Sequence, residues 1–84
     1  MARLDKLIEK FRACRGPFPW REFVAMIEGL GYERLESGKT GGSRRKFYHP
    51  KTKHKILCHE PHDGLMKPAF VEEMQTQLTG QQLL

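Results

Sequence analysis

The sequence predicts an α+β domain in the order α-α-β-β-β-α, with a three-stranded antiparallel sheet, helices packed on one face and the other face open. Three observations predict it. Apolar residues recur at helical spacing towards both ends of the chain. Between residues 43 and 59 the side chains alternate as strands require. Glycine and proline punctuate the segments, above all at Gly38, Gly41, Gly42 and Pro50. Eighty-four residues suffice for one domain with a small core, in which residues 19–78 form the main body and 3–14 an extra N-terminal helix.

Leu4, Leu7, Ile8 and Phe11 fall at i, i+3, i+4 and i+7, on one face of a helix over residues 3–14, and Lys6, Glu9, Lys10 and Arg12 take the opposite face. Gly16, Pro17 and Pro19 stop it, because proline breaks the hydrogen-bond ladder. Such a helix either docks a partner or packs onto its own domain, and packing is the ordinary use of an apolar stripe. A second helix starts at Pro19 or Trp20, buries Phe23, Ile27 and Leu30, and ends with Gly31 as the residue beyond its cap. Trp20 reads as a core anchor in preference to an exposed stacking platform.

Residues 32–37 read as a short first strand and 38–42 as a turn that opens a strand, which is not how a phosphate-gripping loop is built. In the second strand, 43–49, Arg45, Phe47 and His49 face one way, and Arg44, Lys46 and Tyr48 the other. In the third, 55–59, Ile56 and Cys58 share a face opposite Leu57 and His59. A loop over 60–64 leads to a last helix that starts near Lys67-Pro68, buries Phe70, Val71, Met74 and Leu78, and closes at Gly80.

The formal net charge is +5, and it is unevenly spread. From Lys39 to Lys55 there are seven Lys/Arg and no acid, whereas elsewhere eight Lys/Arg meet ten Asp/Glu. A cationic patch of this density, with Phe47 and Tyr48 inside it, suits a polyphosphate such as RNA. Lys39, Arg44, Arg45, Lys46, Tyr48 and Lys55 form the candidate RNA-binding set. The plain alternative is a solvated basic hairpin. No apolar run reaches the roughly 18–20 residues that span a bilayer, and Met1 to Lys6 lacks an apolar signal core, so a cytoplasmic protein without membrane association is expected. Cys14 and Cys58 lie too far apart to suggest a framework and read as buried thiols.

Four histidines carry the possible chemistry: His49, His54, His59 and His62. Metal-free RNA cleavage needs a base for the 2′-hydroxyl and an acid for the leaving oxygen, and imidazole suits both near neutrality. His59 and His62, flanking Glu60-Pro61 beside the open face, are the candidate catalytic pair, with Arg44 or Lys46 to stabilise a phosphorane. For each histidine the alternative is a strand-end or loop residue with no catalytic role. Cys58, His59 and His62 do not match a zinc-finger spacing and have no second ligand pair, so no metal is expected. No serine or cysteine nucleophile arrangement, dinucleotide fingerprint or carboxylate pair is present, and no cofactor is expected.

Trp20-Arg21-Glu22-Phe23, Gly31-Tyr32, Gly42-Ser43-Arg44-Arg45-Lys46-Phe47-Tyr48-His49-Pro50 and Glu60-Pro61-His62, taken in this order before a closing helix, resemble HicA-type toxins of bacterial toxin–antitoxin pairs. The resemblance runs over residues 19–78; each motif alone is weak and the ordered set is more specific. It implies a double-stranded-RNA-binding-domain-like α-β-β-β-α fold, a small metal-independent mRNA interferase, and a cognate HicB-like antitoxin of a type II pair that covers the active face. The family typically carries Gly-Ser-His at the start of the second strand, with the histidine catalytic. Here the matching triplet is Gly42-Ser43-Arg44, and an arginine that stays protonated cannot act as a general base. The family's histidine therefore carries over onto no residue of this chain. Three readings stay open: a ribonuclease in which His59 and His62 have taken over, a non-catalytic RNA- or antitoxin-binding module, and a plain interaction protein whose basic face meets an acidic partner.

Overall fold

The computed structural model describes residues 4–35 and 44–84, the side chain of Arg44 excepted. Among these residues, three helices and a three-stranded antiparallel sheet form an α+β domain, joined by a small two-stranded pairing.

Helix α1, Leu4–Ala13, carries Asp5 in its first turn and Lys10 and Arg12 in its last, each at the end of the helix dipole that favours its charge. It buries Leu7 and Phe11. As its apolar stripe predicts, it packs onto the domain: Phe11 is wholly buried, with its ring 5.0 Å from Phe18 and 5.6 Å from Phe23. A Cβ added at Gly29 would stand 2.9 Å from Leu4 Cδ1, so the two helices approach closely where that glycine lies. Lys10 bridges to Glu22 at 2.7 Å across the same seam. From the far end of the chain, Gln75 Nε2 donates to the carbonyls of Phe11 (2.7 Å) and Cys14 (2.9 Å), which caps the end of α1. The helix belongs to the core.

Residues Phe18–Pro19 form β1, a two-residue strand that sequence reading missed. It pairs antiparallel with β5, Leu65–Met66, and the Trp20 N–H donates to the Gly64 carbonyl at 2.9 Å to extend the pairing. Both Phe18 and Met66 are buried. Proline tolerates this edge position because its missing N–H is not needed there. The loop predicted over residues 60–64 does turn the chain, with Gly64 N–H donating to Pro61 O and Leu65 N–H to Asp63 Oδ1.

Helix α2, Trp20–Gly29, starts after Pro19, which sits in the cap position rather than the first turn. Trp20 is buried against Phe23 and Phe47, as a core anchor should be. The helix ends in a Schellman motif: Gly31 N–H donates to Glu28 O and Tyr32 N–H to Ile27 O, with Gly31 at φ +114°.

The sheet runs in the order β2-β3-β4, from Glu33–Leu35, Arg44–Tyr48 and Lys55–His59. Residues 36 and 37 of the predicted first strand, the predicted turn at 38–42 and Ser43 lie outside the described residues. The predicted facing holds in β3 and β4: Phe47 and Ile56 are buried opposite one another, while Lys46 and Leu57 are exposed opposite one another. Helix α3, Pro68–Gly80, begins with proline in its first turn and buries Val71, Met74 and Leu78, with Phe70 half-buried against Phe23. All three helices contribute to the core beneath Phe47 and Ile56, and the opposite sheet face is left uncovered among the described residues.

Candidate nucleic-acid interface

Cross-strand partners in an antiparallel sheet share a face, so the register defines the open one. Glu33, Tyr48 and Lys55 form one row across it, and Leu35, Lys46 and Leu57 the next. Arg44 and His59 occupy opposed register positions at its end. Lys46, Lys55 and His59 are exposed and Tyr48 is half-buried. Of the predicted RNA-binding set, this face brings together Lys46, Tyr48 and Lys55, with Arg44 by register position. Lys39 lies outside the described residues.

Arg45 is placed elsewhere. It occupies the helix side of the sheet, where its guanidinium bridges to Glu60, with Nη2 at 3.0 Å and Nε at 3.1 Å from Oε1. It also lies beside Cys58. Alternation along β3 makes this unavoidable, because Arg45 shares the parity of buried Phe47. Arg45 thus stands on the other side of the sheet from Lys46, Tyr48 and Lys55.

The four histidines separate into two groups. His49 is buried; its Nε2–H donates to Leu30 O at 3.0 Å, and its Nδ1 accepts from the N–H groups of Lys51 and Thr52, each at 3.2 Å. His54 accepts from the Tyr32 hydroxyl at Nδ1 (2.6 Å) and donates from Nε2 to Gln77 Oε1 at 3.0 Å. That amide is oriented in turn by its NH₂ donating to Glu73 at 3.2 Å. Burial pushes the Tyr32 phenol up to about 12, so it stays neutral and donating. His49 and His54 are each bonded at both ring nitrogens and act as structural ties. No composition or spacing signal marks them, since the partners Leu30 and Gln77 are distant in sequence.

His59 and His62 are exposed, and both line a groove of about 770 Å³ at the outer edge of β4. His59 lies on β4 and also faces the open sheet, while His62 sits in the loop before β5. The predicted catalytic residues therefore share one depression, of which only His59 belongs to the open face.

Cys14 and Cys58 are free and partly buried rather than fully buried. Cys14 donates from Sγ to Gly16 O at 3.0 Å. Burial raises the Cys58 thiol from 9.0 to about 11 against the opposing pull of Arg45. Since the thiolate is the reactive form, iodoacetamide at pH 8 should alkylate Cys58 about a hundredfold more slowly than an ordinary thiol, as peptide mass spectrometry reads. Equal rates in the folded and urea-unfolded chain would refute this protection. Among the described residues no three His, Cys, Asp or Glu side chains converge on a point where a metal ion could bind. No helix among them is long and apolar enough to cross a membrane.

No family model, no curated protein and no solved structure matches this chain.

Proposed function

We propose that the open face of the β2-β3-β4 sheet binds RNA, and that the chain acts as a HicA-like toxin on a double-stranded-RNA-binding-domain-like fold, held in check by a HicB-like antitoxin. The observation that carries this reading is the exposed lysines of neighbouring rows on a sheet face left uncovered among the described residues. Lys46 and Lys55 flank Tyr48, with Arg44 at the next register position of that parity. Lysines spaced along strands follow a phosphate backbone, and a half-exposed tyrosine offers a ring on which a base can stack. A single-stranded RNA is the favoured ligand, because unstacked bases can reach such a surface.

Leu35 and Leu57 stand on the same face, 40% and 66% exposed. Apolar side chains among the cations suit a protein that covers the face when RNA is absent, as an antitoxin does. Of the candidate pair His59 and His62, exposed His59 at the end of the face is the one proposed to exchange a proton with bound RNA.

The test is binding of labelled mRNA to the purified chain in EDTA over a salt series. Affinity should fall steeply with salt, and Lys46→Ala and Lys55→Ala should each reduce the slope of log K against log salt by about 1. Salt-insensitive binding, or none, refutes the RNA reading and leaves a protein-binding face. Cleavage is read in the same tubes: loss of cutting with retained binding in His59→Ala assigns the ring a catalytic part, and intact RNA with wild type assigns a non-catalytic binder.

A further inference from the structure

Apart from any contact with RNA, we propose that the outer edge of β4 takes an extended segment of a partner protein, apolar at alternate positions and bearing lysine or arginine, as a fourth strand along the groove between β4 and the start of α3. The hydrogen-bond polarity of the ladder supplies the first argument. His49 N–H donates to His54 O at 2.9 Å, which makes that pair a bonded one. By alternation, Phe47 with Ile56 and Arg45 with Cys58 are the next bonded pairs. The N–H and C=O of Lys55 and Leu57 therefore point away from β3, to an edge that no strand pairs among the described residues. Unpaired strand edges are templates for strand addition.

The surface beside that edge is apolar. Leu57 and Leu65 are among the large exposed hydrophobics, and half-buried Phe70, which packs against the core, lines the groove with them. Successive side chains of an added strand point to opposite faces, one alternate set towards Leu57 on the open face and the other towards Phe70 on the helix side.

Charge decides the occupant. Three carboxylates, Glu60, Asp63 and Glu73, line the groove against one ammonium, Lys67. Glu60 is already paired with Arg45, which leaves Asp63 and Glu73 to attract a cationic segment. On a chain of net charge +5 this is a local reversal of sign, and it repels the phosphates that the open face attracts. An acidic partner suits the face, whereas a basic, apolar strand suits the groove.

The probe is a synthetic ten-residue peptide alternating valine and threonine with lysine at both ends, titrated into the full ¹⁵N-labelled chain, beside a second peptide with glutamate at both ends. The lysine peptide should shift the amide signals of Lys55 and Leu57 and slow hydrogen exchange at the Leu57 N–H by about tenfold or more. The glutamate peptide should bind about fivefold more weakly, and Glu73→Lys, an exposed substitution, should reverse that order. Equal binding of the two peptides, shifts confined to Lys46 and Tyr48, or no shifts at millimolar peptide would each overturn the proposal. So would an RNA that moves the Leu57 amide more than either peptide does.

Discussion

Phe11→Ala is expected to remove about 3–5 kcal/mol of folding stability, the range for emptying a fully buried phenylalanine site. Phe11 is wholly buried and sits between the rings of Phe18 and Phe23, so its loss opens a cavity among aromatic neighbours that are themselves fixed. Phe18 is held by the pairing of β1 with β5, and Phe23 by its contacts with Trp20 and Phe70. Neither can collapse into the space without breaking another contact, which places the loss towards the upper end of the range. Small domains have about 5–15 kcal/mol in all, so the variant would lose about a third or more of a typical domain's stability. Urea unfolding followed by tryptophan fluorescence reads the change through Trp20, which neighbours the site. A loss below about 1 kcal/mol would mean that α1 is appended to the domain and not part of its core.

Gly31→Ala should be nearly as severe, at about 2–4 kcal/mol, for two reasons that add. The backbone there has φ +114°, a conformation that a Cβ disfavours. The new Cβ would also lie 2.8 Å from His49 Nε2. An exposed side chain could swing away, but this ring is buried and tied at both nitrogens, to Leu30 on one side and to Lys51 and Thr52 on the other. Relief of the clash therefore disturbs both the end of α2 and the β3–β4 turn. The expected fall in Tm is about 10–20 °C for a domain of this size, measurable by thermal unfolding. A shift of a degree or two would show that His49 is looser than its bonds imply.

Much of the architecture could be read from side-chain periods. The stripe Leu4-Leu7-Ile8-Phe11 located α1, and the alternation through Arg44 to Tyr48 located β3 together with its facing. β1 and β5 escaped because a two-residue strand has no period to detect, and Phe18 between two prolines looks like a breaker. That α1 packs onto the domain was legible, but its partners were not. An amphipathic stripe says that a helix buries a face but not against what, and the answer lay with Gln75 and the aromatic rings of α2. At the candidate interface, parity alone separated Lys46 and Tyr48 from Arg45, and the Glu60 bridge made that separation firm. The structural duties of His49 and His54 were invisible because their partners come from other elements. The groove beside β4 was equally hidden, since it is assembled from β4, the following loop and α3.

The clasp of Gln75 on α1 also bears on how the chain is made. Ten residues are too few for a helix to persist alone in water. The side chain that satisfies the Phe11 and Cys14 carbonyls arrives sixty-four and sixty-one residues later. A nascent chain lacking α3 therefore holds α1 without its cap, and without Gln77 to fix His54. Both ties span most of the domain, so α1 and the β3–β4 turn are completed by side chains of α3 and not by their sequence neighbours.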